Sequence, residues 1–130
     1  MAEITKYPDL ALTKITNIRT VEELVNNLEK IEPVYNKLSL AFFNNYNFVS
    51  IKAEELKTAL SGLPRSVTSV DLSGNYLNTE DKVIENAIIT IISKTKIRHV
   101  YFGEGVFVPE TIIQELAKNA GKNRIDVLRE

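Results

Sequence analysis

The chain has 130 residues, 44% of them apolar, with 16 basic and 17 acidic side chains and a net charge of −1. That length and apolar content suit one domain with a continuous core, and the balanced charge, with no basic face interleaved with aromatics, argues against a nucleic-acid partner. With no cysteine and one histidine, disulfides, thiolate metal sites and thiol nucleophiles are excluded.

The first strand is expected near residues 7–13, with Leu10 and Leu12 as its inward pair and Tyr7 three residues earlier. Thr20 precedes VEELVNNLEKI, and Glu23 stands three residues later, which is a capping-box start. A helix is therefore expected near 21–31, apolar at Val21, Leu24, Leu28 and Ile31, until Pro33 stops it. The second strand, near 35–41, turns Leu38 and Leu40 inward after Tyr35. AFFNNYNF, residues 41–48, places four aromatics where a polar turn belongs; Phe43 and Phe48 are expected to fill the core, and Phe42 and Tyr46 to lie exposed at the rim.

Ser50 caps a helix expected near 51–63, with Leu56, Ala59, Leu60 and Leu63 on one face and Gly62 and Pro64 closing it. The third strand, near 67–73, carries Val67, Val70 and Leu72. A helix near 79–93 follows, apolar at Val83, Ala87, Ile88, Ile91 and Ile92. The fourth strand, near 97–103, has Ile97, Val100 and Phe102, and the loop GEGVFV leads to a helix near 109–119 that opens on Pro109, a residue tolerated in the first turn. Its buried face is Ile112, Ile113 and Leu116, and a last half-strand is expected near 125–129.

From Leu10 the inward pairs recur at separations of 28, 32, 30 and 28 residues, reaching Leu38, Val70, Val100 and Leu128. A helix falls in the same place in each step, as a parallel strand-to-strand connection requires. Within this series ALSGLPRSVTSVDLSGNYL holds Val67, Val70, Leu72, Asn75 and Leu77 at the spacing L-x-x-L-x-L-x-x-N-x-L. On those residues the chain resembles the ribonuclease-inhibitor-like class of leucine-rich repeat proteins. The resemblance implies a short α/β horseshoe, a right-handed solenoid of about five parallel strands on the concave face with four helices outside, in one domain covering 1–130. The consensus asparagine occurs only as Asn75, its aligned positions being Ile15, Phe43 and Gly105, so irregular turns are expected at both ends.

More narrowly, that repeat looks like those of small effector proteins delivered into host cells by intracellular bacterial pathogens through type IV secretion. What this implies is a noncatalytic protein-binding module, made in the bacterial cytoplasm and translocated to the host cytosol, that binds and inhibits a companion effector enzyme by covering its active site. The alternative it implies is an adaptor that binds a host protein without inhibiting it. MAEITKYPDL lacks the apolar core of a signal peptide, and no run approaches the ~18 apolar residues that span a bilayer. The expectation is a protein with no membrane insertion, no cofactor and no metal, monomeric when free.

Alternation along a strand places the residues between the inward ones on the opposite face. The partner-binding surface is accordingly expected to comprise Asp9, Lys37, Ser39, Ser69, Asp71, Ser73, His99, Tyr101 and Arg129, beside Ala11 and Thr13, with Phe42, Tyr46 and Glu104 at the rim. Tyr101, His99 and Arg129 are residue types that anchor interfaces. The one catalytic constellation available is Ser69, His99 and Asp71 on neighbouring strands, but no nucleophile elbow surrounds Ser69 and a flat sheet face supplies no evident oxyanion hole. Glu22 with Glu23, Glu54 with Glu55, and Glu80 with Asp81 stand in first turns of helices, where the helix dipole favours them. The chain is read as no enzyme.

Overall fold

The structure, a computed structural model, describes residues 1–43, 53–75 and 77–121. These form a mixed α/β fold with an open five-stranded sheet in the order β1-β2-β3-β4-β5. The strands are β1 (Glu3–Tyr7), β2 (Leu12–Ile18), β3 (Lys37–Phe42), β4 (Ser69–Asp71) and β5 (His99–Tyr101), and the helices are α1 (Val21–Leu28), α2 (Ala53–Leu60), α3 (Lys82–Ser93) and α4 (Glu110–Ala120). From β2 onward strand and helix alternate and every strand pair is parallel.

The strand expected at 7–13 is instead a hairpin. β1 and β2 pair antiparallel, from Glu3↔Thr16 to Tyr7↔Leu12, around a 3-10 turn at Pro8–Leu10. Pro8 has no N–H to give a ladder and fixes φ for the turn, and Ala11 follows in the left-handed region at φ 51°. Among the described residues the sheet is therefore four parallel strands with one antiparallel strand at its edge. The turn also shifts the inward pair. Leu10 is 57% exposed, and Thr13 and Ile15 are the fully buried residues that register with Leu38 and Leu40. Asn17, at φ 61°, takes up an extra residue where the register slips between Ile15 and Ile18, a bulge that asparagine tolerates.

The other inward positions among the described residues are buried as expected, except Val100, which is half-buried against the core. Leu38, Leu40, Val70, Leu72 and Phe102 are buried, and Tyr35, Val67 and Ile97 behind them are buried too. One core between sheet and helices joins them to Leu24, Leu28, Leu56, Leu60, Ile88, Ile92, Ile112 and Leu116. At roughly 25 cal/mol per Å2 of apolar surface removed from water, stacking of this kind is the main driving force.

Local signals set the helix ends. Thr20 accepts the Glu23 N–H at 3.1 Å, but the Glu23 carboxylate turns to the Ala2 N–H, so the cap also ties down the start of the chain. α1 ends at Leu28, three residues short of the expected limit, while Ile31 still reaches the core. α3 starts at Lys82, capped by Asp81, which accepts the Val83 N–H at 2.8 Å. The intervening Thr79 is buried and donates its hydroxyl to the Phe107 carbonyl. Starting there rotates the helix, so that Val83 is 63% exposed and Ile84 takes the inward place assigned to it. The Asn119 amide bridges α4 to the turn before β5, donating to the carbonyls of Ile92 and Ile97 at 2.7 Å each. The Ser50 cap, Phe48 and the half-strand at 125–129 lie outside the described residues.

Candidate functional site: the exposed face of the sheet

Cross-strand register sorts the outward side chains into rows. The first row is Tyr7, Leu12, Lys37, Ser69 and His99; the second is Thr5, Lys14, Ser39, Asp71 and Tyr101. Strands in a parallel ladder stand ~4.8 Å apart, so each row runs unbroken across the full width of the sheet. Lys37, Ser39, Ser69, Asp71, His99 and Tyr101 are thus brought together as their alternation in the sequence implies. Tyr101, 47% exposed, is the large apolar surface at the far end of the second row.

Other expected members of the face are not there. Asp9 lies exposed in the 3-10 turn instead of on a strand. Thr13 points into the core with no exposure, and Ala11 forms the turn. Both corrections follow from the hairpin: with Leu12 outward, Lys14 joins the second row, a residue that a strand at 7–13 could not place. The signal for it was present, since EITKY and LTKITNI alternate on either side of Pro8-Asp9 and read as two strands and a turn. Phe42 is not at the rim but 9% exposed in the core, because it continues the inward alternation of Leu38 and Leu40. Phe43 is half-buried with the Arg19 guanidinium 4.1 Å above its ring, a cation–π contact of about 0.5–1 kcal/mol at such a site. Tyr46 and Arg129 lie outside the described residues.

At the exit ends of β4 and β5, Ser73 and Gly103 come together. A Cβ on Gly103 would lie 3.6 Å from that of Ser73, and φ of 118° reserves the position for glycine. Glu104 follows, exposed, and Phe107 is 59% exposed beyond it. Asp71 is committed locally, its Oδ1 accepting the Ser73 N–H at 2.8 Å.

At the opposite end of the same strands Ser69 Oγ lies 3.3 Å from His99 Nδ1. Asp71 belongs to the next row, in register with Tyr101, and so does not sit behind the imidazole. The Ser69 and His99 N–H groups are both spent, on the carbonyls of Asn36 and Thr68 at 3.2 Å each, and cannot serve an oxyanion. A hydroxyl–imidazole pair is present without the other parts that acyl transfer needs. Among the described residues no group of three potential metal ligands gathers, and no helix is long and apolar enough to cross a membrane.

The pair sits in a pocket of about 270 Å3 lined by Asn36, Lys37, Thr68, Ser69, Arg98 and His99. A larger groove of about 660 Å3 runs between α1 and α2 on the helical side, lined by Val25, Leu28, Ala59 and Pro64 with Glu29, Glu54 and Glu55 beside them. The groove is mainly apolar and brings no complementary polar groups together, whereas the sheet face presents donors, acceptors and an aromatic in fixed register. The sheet face is therefore the better-defined candidate site. The chain matches no protein-family model, no curated protein and no solved structure.

Proposed function

We propose that the chain is a leucine-rich repeat module without catalytic chemistry that binds another protein through the exposed face of its sheet. The observation that supports this is the pair of cross-strand rows, which hold Lys14, Lys37, Ser39, Asp71, His99 and Tyr101 on rigid strands. Backbone held in strands needs no ordering on binding, and an exposed tyrosine gives large contact area from few rotatable bonds. On the resemblance of its central repeat, the protein is a bacterial effector, translocated into the host cytosol, whose partner is a companion effector enzyme that it inhibits by covering the active site.

The test is affinity capture with the wild-type chain and with Tyr101→Ala/Lys14→Ala, from host lysate and from lysate of the producing bacterium, followed by an activity assay of the captured enzyme. A one-to-one complex formed by wild type, weakened at least tenfold by the double substitution and inactive as an enzyme, is the expected result. A partner held equally by both chains overturns the site. A partner that stays active in the complex overturns the inhibitory role and makes the protein an adaptor.

A further inference from the structure

The pocket at the leading ends of β3, β4 and β5 has a charge pattern that general protein binding does not require. Three successive strands each begin there with a pair of residues: Asn36 and Lys37, Thr68 and Ser69, Arg98 and His99. The backbone N–H groups of Thr68, Ser69, Arg98 and His99 are all consumed by the carbonyls of Asn36 and Thr68, so recognition falls to side chains alone. Those side chains are an ammonium, a guanidinium, an imidazole, two hydroxyls and an amide, with no carboxylate among them. Neither Lys37 nor Arg98 forms an ion pair among the described residues. The nearest acid of the face, Asp71, is one row away and turned to the Ser73 N–H.

We propose that this pocket binds an oxyanion, the carboxylate or phosphoryl group of an acidic segment in the protein partner. The proposal rests on the protein-binding reading above and specifies the chemistry of what docks at one end of the face. Arg98 offers the planar fork that matches either group in two parallel hydrogen bonds. Lys37, two strands away across the pocket, adds a second positive charge, and Ser69 on the strand between them donates its hydroxyl to the oxyanion while accepting from the His99 Nδ1–H. Both cations are exposed, so the contact is modest by itself and sensitive to salt. Its contribution is orientation: an acidic residue seated here aligns the rest of the segment along the rows toward Tyr101.

The single histidine makes the site directly observable, because any imidazole ring signals in an NMR spectrum of the chain belong to His99. The full chain is titrated at low ionic strength with a hexaglutamate peptide, a phosphoserine peptide and, as control, a hexalysine peptide, in wild type, in Lys37→Ala/Arg98→Ala and in Lys118→Ala on α4. The expected result is a saturable shift of the His99 imidazole and of the Ser69 amide with one or both acidic peptides and none with hexalysine. Affinity should fall at least tenfold in the double variant and stay within twofold in Lys118→Ala; the two acidic peptides tell carboxylate from phosphoryl. No shift with either acidic peptide, or an equal shift in the double variant, overturns the proposal. Capture of a partner that Tyr101→Ala/Lys14→Ala weakens but Lys37→Ala/Arg98→Ala leaves untouched overturns it too, while the protein-binding reading stands.

Discussion

Asn75 is 3% exposed and satisfies three backbone groups at once: its amide donates to the carbonyls of Leu40 and Leu72 at 2.9 Å each, and its Oδ1 accepts the Phe42 N–H at 3.0 Å. It stitches the ends of β3 and β4 where the ladder stops. Truncation leaves those groups buried and unpaired, at about 1–3 kcal/mol for each unsatisfied group. Asn75→Ala is therefore expected to lower stability by about 3 kcal/mol, seen as a lower urea midpoint with an unchanged slope; a loss under 0.5 kcal/mol would mean that water replaces the amide. Thr13 presents the opposite case. It occupies the inward position that Leu38 and Val70 hold in the next strands, and its buried Oγ1 has no partner among the described residues. Thr13→Val keeps the shape and removes the orphan hydroxyl, so it should stabilise by about 1 kcal/mol; the same urea experiment decides it, and a destabilised variant would show that the hydroxyl is satisfied after all.

At the scale of elements, α3 and α4 are joined by Glu85, which is buried at 6% exposure, accepts a hydrogen bond from Thr111 and pairs with Lys82 at 3.1 Å. The Thr111 hydroxyl first, and Lys82 second, hold its carboxyl below the usual glutamate value. A carboxylate depressed on folding stabilises the protein fully above its unfolded pKa of 4.5, and that contribution is lost as pH falls from there through the lower folded value. Wild type should therefore exceed Glu85→Gln in stability by a constant margin near neutral pH, and the margin should shrink below about pH 4.5. Thermal melts of both chains from pH 7 to 3 measure it; parallel curves over the whole range would remove Glu85 as a titrating contact.

The three strand–helix units after the first were legible because each carries a periodic apolar set, helped by boundary signals in two of them: Gly62 and Pro64 after α2, and Pro109 at the start of α4. What the repeat spacing concealed was the hairpin. Leu10 and Leu12 continue the numerical series, and a period read from apolar letters cannot distinguish a strand from two shorter ones folded at Pro8. The same substitution of letter for geometry put Phe42 at a rim and Val83 in a core. On the sheet face, alternation within β3, β4 and β5 was sufficient to place six site residues, whereas the place of Lys14 in its row and the gathering of Lys37 and Arg98 around one pocket depend on register between strands, which no single strand encodes.

For the whole molecule, the hairpin decides how the sheet ends. The strands and helices pack mainly on their neighbours in chain order, so a unit at the edge of the sheet must shield its outer side by some other device. β1 does this for β2: it supplies a ladder partner from Leu12 to Thr16 and lays Ile4 on the core, while Ala2 just before it is buried and donates its N–H to Glu23 of α1. Lys6 pairs with Glu32 beyond α1, a bond that holds its ammonium charged above the ordinary lysine range. Removing residues 1–10 would leave a five-residue strand edge unpaired, with alternating Leu12, Lys14 and Thr16 on one side and Thr13 and Ile15 on the other. Such an edge templates pairing with a second copy. The truncated chain is expected to melt lower and to sediment as a concentration-dependent dimer or larger species at tens of micromolar, while a chain with Lys inserted for Ile15 in addition loses the core and does not fold. A truncated chain that stays monomeric and melts with wild type would show that β1 is an accessory to the sheet and that β2 ends it alone. Association through β2 would leave the rows from Lys37 to Tyr101 exposed on each copy, so partner capture by the truncated chain separates the edge from the face as the surface that recognises.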